Sequence, residues 1–119
     1  MTNSEDTQNT PENAKKDGIL VKTKAGHYVP IHPVDILYIE ADRDYTIIST
    51  TKENYFKTIR IGELHEKLDS NLFLRVHQSY VINKNKIEAI HGNHVLVSGI
   101  EIPISRTYKD AFLSHYQRI

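Results

Sequence analysis

Apolar and polar residues alternate in short segments along most of the chain, and turn residues separate these segments. Lys24, Ala25 and Gly26 predict one hairpin turn, and the pairs Gly92-Asn93 and Ser98-Gly99 predict two more. The predicted strands occupy residues 19–23, 28–31, 35–41, 45–50, 54–59, 86–90, 94–97 and 100–104. Short strands at this spacing are typical of small antiparallel sheets in a sandwich or barrel rather than of βαβ units.

Two segments have the period of a helix instead. Ile61, Leu64 and Leu68 form an apolar stripe in residues 61–68, and Arg60 stands where a capping Ser or Thr would help. The second helix is predicted within residues 105–119 and opens with Ser105, a favourable N-cap. Its apolar face consists of Tyr108, Ala111, Phe112 and either His115 or Tyr116. Both stripes are expected to pack on the core.

Residues 1–17 differ from the rest of the chain because they are almost entirely polar. They hold four acidic and two basic residues, a net charge of −2, so the other 102 residues carry +2. A segment with so few apolar side chains cannot offset its ordering entropy by burial. We therefore predict a disordered tail or linker at 1–17 and one domain at 18–119. The small positive charge is a weak indication of nucleic-acid binding.

Several kinds of chemistry are not supported by the sequence. The chain has no cysteine, so it has no disulfide and no thiolate metal site. His91 and His94 flank a Gly-Asn turn without a third ligand nearby, and we expect no metal. There is no G-x-S-x-G elbow or Gly-rich phosphate loop, so neither an enzyme nor a cofactor is predicted. Without a signal peptide or a long apolar run, the expected location is the cytoplasm.

The segment "FLRVHQSYVIN", residues 73–83, carries an unusual number of hydrogen-bonding side chains for a strand. Strand alternation would place Arg75, His77 and Ser79 on one face and Val76 and Gln78 on the other. For Gln78 to reach outward, the strand has to break at or before this residue.

Three segments, "DILYIEADRDYTII", "FLRVHQSYVINKNKI" and "IPISRTYKD", closely resemble the LytTR family of bacterial DNA-binding domains, and the likeness extends from Ile19 to about Tyr116. The middle segment is the most specific, with matching positions at Phe73, Arg75, His77, Ser79, Tyr80 and Asn83. The resemblance implies a mainly β fold: small antiparallel sheets in an elongated β-sandwich, one short internal helix and a C-terminal helix. It also implies that loops, rather than a recognition helix, enter the DNA major groove.

The resemblance also implies roles for individual residues. Base reading is carried over to Tyr45 in the turn Arg43-Asp44-Tyr45, to Gln78 and to Arg106. Arg can donate two hydrogen bonds to guanine, and Gln can pair with adenine. Asp42 and Asp44 would repel phosphates unless they pair with Arg43 or face a cytosine amine.

The remaining roles are backbone contact and structural support. Side chains suited to positioning the DNA backbone are Arg43, Arg75, Ser79, Lys84, Lys86 and Lys109. His77, Tyr80 and Asn83 are interpreted as support, with His77 a buried hydrogen-bonding residue, Tyr80 in the core and Asn83 in a turn.

The predicted function is sequence-specific binding of double-stranded DNA for transcription regulation. The alternative is a protein-interaction module on the same fold with weak or lost DNA binding. Family members are usually output domains of response regulators in two-component systems, but residues 1–17 are too few for a receiver domain. The chain is therefore expected to be a stand-alone domain or part of a longer regulator, with a receiver domain or partner protein outside it. We expect a monomer in solution and two copies on repeated DNA half-sites.

Overall fold

Ten short strands and two helices make up the part of the chain that the computed structural model describes, residues 18–119. The strands are β1 (Ile19–Lys22), β2 (Tyr28–Ile31), β3 (Ile36–Asp42), β4 (Tyr45–Thr50), β5 (Asn54–Lys57), β6 (Phe73–His77), β7 (Tyr80–Asn83), β8 (Ile87–His91), β9 (His94–Val97) and β10 (Ile100–Pro103). The helices are α1 (Ile61–Glu66) and α2 (Arg106–Leu113), and single 3₁₀ turns lie at Pro33–Asp35 and Lys84–Lys86. The predicted mainly β fold is confirmed, whereas the predicted tail at 1–17 lies outside the described residues.

The strands form three antiparallel sheets. The largest has the order β5-β4-β3-β7-β6, and β1-β2 and β10-β9-β8 form the smaller two. Strand β3 lies at the centre of the five-stranded sheet and pairs with β4 on one side and β7 on the other. Strand β6 is an edge strand, because only β7 pairs with it in this sheet.

The five-stranded sheet has a hydrophobic core on each face, because neighbouring residues of a strand point to opposite faces. On one face Phe73 and Val81 pack with side chains of the β1–β2 hairpin and of α1. On the other face Leu74 and Ile82 pack with the three-stranded sheet and with Phe112 of α2. The alternation of β6 and β7 thus holds together both halves of the domain.

The two helices pack largely as predicted, with corrections in α2. The stripe Ile61, Leu64 and Leu68 is buried, although α1 ends at Glu66 and Leu68 lies just after it. In α2 Phe112 is buried, but Ala111 is exposed, and the helix ends at Leu113, before His115 and Tyr116.

The predicted capping role of the Ser105 side chain is wrong. Its hydroxyl makes no capping hydrogen bond and is buried without a partner among the described residues. The Ser105 backbone N–H donates to the Val76 carbonyl at 2.8 Å, so the start of α2 is attached to strand β6 instead. No helix within residues 18–119 is long and apolar enough to cross a membrane.

Candidate nucleic-acid interface

Three turns that lie far apart in the sequence meet along one edge of the domain. They are the β3–β4 turn with Arg43, the β6–β7 turn with Gln78 and Ser79, and the start of α2 with Arg106. The Ala41 N–H donates to the Ser79 carbonyl at 2.9 Å and joins the first two turns. The Ser105 N–H bond to Val76 joins the start of α2 to strand β6, two residues before Gln78. We call this surface, residues 43–45, 78–79 and 105–106, the turn edge.

The β3–β4 turn presents Arg43 and Tyr45 to solvent. Arg43 is exposed and has a φ of 58°, in the left-handed region that favours glycine. Tyr45 is 51% exposed, and its ring meets the exposed Phe56 ring edge-on at 6.5 Å between centroids. Tight two-residue hairpin turns require a positive φ of this kind, so the turn geometry holds Arg43 at the tip.

The β6–β7 turn presents Gln78 because β6 ends at His77, as the sequence predicted. The pairing shifts register between Arg75 and His77, which marks a bulge at Val76. A bulge inserts one extra residue and redirects the side chains that follow it. Gln78 is consequently exposed at the tip of the turn.

His77 and Tyr80 support the β6–β7 turn through a hydrogen bond to its backbone and a contact between their rings. His77 Nδ1 accepts a hydrogen bond from the Ser79 N–H at 3.0 Å, so the neutral ring carries its proton on Nε2. Its ring meets the Tyr80 ring edge-on at 5.6 Å. Both side chains are half-buried, in contrast to the fuller burial expected from the sequence.

The Tyr80 hydroxyl donates to Glu40 Oε2 at 3.1 Å and so ties β7 to β3. Partial burial, and next the hydrogen bond to Glu40, raise the pKa of Tyr80 above its ordinary value of 10.0. The phenol is therefore neutral and can donate at physiological pH.

Asn83 lies at the opposite end of the β6–β7 hairpin and is only 1% exposed. Its Nδ2 donates to the carbonyls of Pro33 at 3.0 Å and Ile36 at 2.8 Å, and its Oδ1 accepts from the Asn85 N–H at 2.9 Å. Asn83 is thus the N-cap of the 3₁₀ turn Lys84–Lys86, in agreement with the turn position that the sequence indicated, and its buried amide also connects this turn to the end of the 3₁₀ turn Pro33–Asp35.

Arg75 makes internal hydrogen bonds at the turn edge. Its Nε donates to the His77 carbonyl at 2.9 Å, and its Nη2 donates to the Gln78 carbonyl at 2.6 Å. Its guanidinium carbon lies 5.2 Å from the centroid of the Tyr108 ring on α2. The sequence assigned Arg75 to DNA phosphates, whereas in the structure two of its nitrogen donors bond to carbonyls of its own turn.

Arg106 is the first residue of α2 and is exposed. Within residues 18–119 no hydrogen bond or ion pair engages its side chain, and in particular none joins it to Asp110. Its guanidinium is thus available to a ligand at the turn edge.

The β8–β9 turn lies beside α2, which the sequence did not indicate. The Asn93 carbonyl accepts from the Ile104 N–H at 2.7 Å, and Asn93 Oδ1 accepts from Lys109 Nζ at 2.7 Å. His91 and His94 face each other across this turn. Among the described residues, no three His, Asp or Glu side chains are grouped closely enough to hold a metal ion.

Lys84 and Lys86 do not lie at the turn edge. They belong to the 3₁₀ turn after β7, and the Lys84 N–H donates to the Leu72 carbonyl just before β6. Strands β6 and β7 therefore separate both lysines from Gln78. A backbone contact by these two side chains stays a prediction.

Comparisons with known proteins agree with the fold. The family model described as the LytTr DNA-binding domain matches residues 26–117. A solved LytTr DNA-binding domain from Bacillus cereus superimposes with a TM-score of 0.71 and 25% identity, covering 84% of this chain and 96% of that one.

Curated relatives are similar over most of the chain. The sensory transduction protein LytT of Enterococcus faecalis is 28% identical over 120 residues, which cover 88% of this chain and 48% of the relative. The transcriptional regulatory protein YpdB of Escherichia coli is 34% identical over 95 residues, covering 74% of this chain and 38% of the relative. The chain thus spans less than half the length of these regulators. The match over residues 26–117 shows that the chain belongs to the LytTR family of DNA-binding domains, which bind DNA in transcription regulation.

Proposed function

We propose that the turn edge inserts into the major groove of double-stranded DNA and reads its sequence. The observation that carries this proposal is the convergence of three turns, joined by the Ala41–Ser79 and Ser105–Val76 backbone hydrogen bonds, with Arg43, Gln78 and Arg106 exposed on them. The major groove is about 12 Å wide and presents a different donor and acceptor pattern for each base pair. A row of turns can therefore place several side chains against base edges.

Arg106 and Gln78 supply the most selective contacts. The planar Arg106 guanidinium can donate two hydrogen bonds to guanine O6 and N7, and the Gln78 amide can pair with adenine N6 and N7. Tyr45, steadied by Phe56, offers an aromatic edge and a hydroxyl at the other end of the row. Each well-formed bidentate pair contributes about 1–3 kcal/mol of discrimination between bases.

Contacts to DNA phosphates are expected beside the base-reading side chains. Arg43, Ser79 and Lys109 lie on or next to the turn edge and are suited to hold the backbone on either side of the groove. Each neutralised phosphate adds about 0.9 to the slope of log affinity against log salt. Lys84 and Lys86, in the 3₁₀ turn at the far end of the β6–β7 hairpin, are proposed as further backbone contacts.

The test begins with selection of bound sites from a random-sequence duplex pool, followed by affinity measurements on a library of single-base variants of the selected site. Arg106→Lys keeps the charge but loses the planar fork, so discrimination should fall at one base pair. Gln78→Ala should relax a different base pair. Lys109→Ala and Lys84→Ala should weaken all sequences about equally, because a phosphate contact carries no sequence information.

Two outcomes would contradict the proposal. If Arg106→Lys and Lys109→Ala caused the same uniform loss, Arg106 would be a backbone contact and not a base reader. If the wild-type chain retained no DNA at low salt, the protein-interaction alternative would be favoured, with the exposed Tyr45 and Phe56 rings as its contact surface.

We further propose that this chain acts as the DNA-binding output part of a regulator and binds as two copies on repeated half-sites. The support for a role within a regulator is the similarity to LytT and YpdB, whose names describe sensory transduction and transcription regulation. Sedimentation of the chain alone, with one half-site and with two half-sites tests the stoichiometry. A stable dimer without DNA would contradict it.

A further inference from the structure

We propose that Arg75 is a positioning residue that fixes the Gln78 turn against helix α2, so that Gln78 and Arg106 meet the DNA in one fixed relative geometry. This inference rests on the proposed function and deepens it. The Arg75 guanidinium is thereby assigned to a contact inside the protein instead of to a DNA phosphate. This contact lies between the turn that carries Gln78 and the helix that carries Arg106.

Two hydrogen bonds attach the Arg75 guanidinium to the β6–β7 turn. Strand β6 is an edge strand, so its outer side has no neighbouring strand of the sheet. The guanidinium donates from Nε to His77 O and from Nη2 to Gln78 O, two carbonyls in consecutive residues. A planar group with several fixed N–H donors can make both bonds at once, whereas the single ammonium of a lysine cannot reproduce this geometry.

A contact with the Tyr108 ring attaches Arg75 to α2. Its guanidinium carbon lies 5.2 Å from the centre of the Tyr108 ring, within the range of a cation–π interaction. Tyr108 is two residues after Arg106 on the same helix, and Gln78 is three residues after Arg75. The Arg75 side chain therefore connects the turn that carries Gln78 to the helix that carries Arg106.

The Arg75–Tyr108 contact adds to the other attachments of α2. The Ser105–Val76 hydrogen bond holds the start of the helix on β6, and Phe112, near the other end of the helix, packs in the buried core. Tyr108 lies between these two attachments, in the turn of the helix that carries Arg106. Productive recognition requires side chains within about 0.5 Å and 10–20° of their geometry, so loss of the Arg75–Tyr108 contact should impair both base-reading side chains together.

The decisive variants are Arg75→Lys, which keeps the charge, and Tyr108→Leu, which removes the ring. Tyr108→Phe keeps the ring and is the matched control. On the selected DNA site, Arg75→Lys and Tyr108→Leu should each lose about tenfold in affinity and reduce discrimination at both the Gln78 and the Arg106 base pairs. The double variant should lose no more than the stronger single variant, because both remove one shared contact.

Non-specific DNA and salt dependence separate positioning from phosphate contact. A positioning role predicts unchanged affinity for non-specific duplex and an unchanged salt slope in Arg75→Gln, which removes the charge, and in Tyr108→Leu. Uniform loss across sequences in Arg75→Gln, with a slope lower by about 0.9, would show that Arg75 neutralises a phosphate and would overturn the inference. Reduced discrimination at the Gln78 base pair alone would overturn the link to α2.

A measurement without DNA separates this inference from the proposed function. Hydrogen exchange of the Ser105 amide, which bonds to Val76, should be faster in Arg75→Lys and Tyr108→Leu than in the wild type and in Tyr108→Phe. Faster exchange in a protein that selects no DNA motif would uphold the contact and reject the base-reading function. Unchanged exchange, with thermal midpoints near that of the wild type, would reject the positioning role.

Discussion

Replacing Asn83 by alanine is expected to destabilise the domain strongly although Asn83 touches no proposed DNA contact. The side chain is 1% exposed and makes three hydrogen bonds, two to the Pro33 and Ile36 carbonyls and one from the Asn85 N–H. At about 0.5–1.5 kcal/mol for each bond, the loss is about 3 kcal/mol. The buried Ile36 carbonyl left without its donor adds to this cost.

Chemical denaturation followed by circular dichroism measures this effect, and an unchanged m value would show that the unfolded state is unaltered. In a domain of this size, about 3 kcal/mol corresponds to a fall of roughly 10–20 °C in the thermal midpoint. Asn83→Asp keeps an acceptor for Asn85 but loses both donors, so it should be at least as destabilising. Asn85→Ala leaves all three bonds intact and should change stability by less than about 0.5 kcal/mol. A loss below about 1 kcal/mol in Asn83→Ala would refute this account of the far end of the hairpin.

Three further predictions concern the turn edge and the two side chains, His77 and Tyr80, that support it. The pKa of Tyr80 is raised in the fold, so its contribution to stability is complete below about pH 10 and is lost as the pH rises through the raised value. In Tyr80→Phe the free energy of unfolding should therefore fall less steeply with rising pH in this alkaline range. His77→Asn can still accept the Ser79 N–H, whereas His77→Phe cannot and should cost about 1 kcal/mol with faster exchange of that amide. Arg43→Gly should retain or raise the unfolding midpoint and weaken DNA binding, while Arg43→Val should lower the midpoint, since φ is positive there.

The sequence by itself determined the elements of this protein. Strand alternation and turn residues depend on neighbours within a few positions, so the hairpins around Gly26 and Gly92 and the stripe Ile61, Leu64 and Leu68 could be predicted locally. The sequence also predicted that β6 ends before Gln78, because continued strand alternation would have placed this side chain on the same face as Val76. The LytTR family was likewise indicated by residue order alone, through the three matching segments.

Boundaries and caps were less predictable because local signals compete there with tertiary contacts. Ser105 has the residue type of an N-cap, yet its N–H bonds to Val76 and its hydroxyl turns inward. Ala111 fits the helical stripe but is exposed, since α2 contacts the sheet through a narrower face that includes Phe112.

Only the tertiary structure decided which side chains act together. Local patterns contain no strand order, and the pairing of β3 with β7 joins residues about 40 positions apart, such as Glu40 and Tyr80. That pairing brings the Arg43 turn to Gln78 and separates Lys84 from both. Arg75 has the composition of a phosphate contact, but its donors are directed to carbonyls in its own turn because the bulge at Val76 places them within reach. Residue type sets what a group can bind, and the long-range pairing of strands sets which partners lie within its reach.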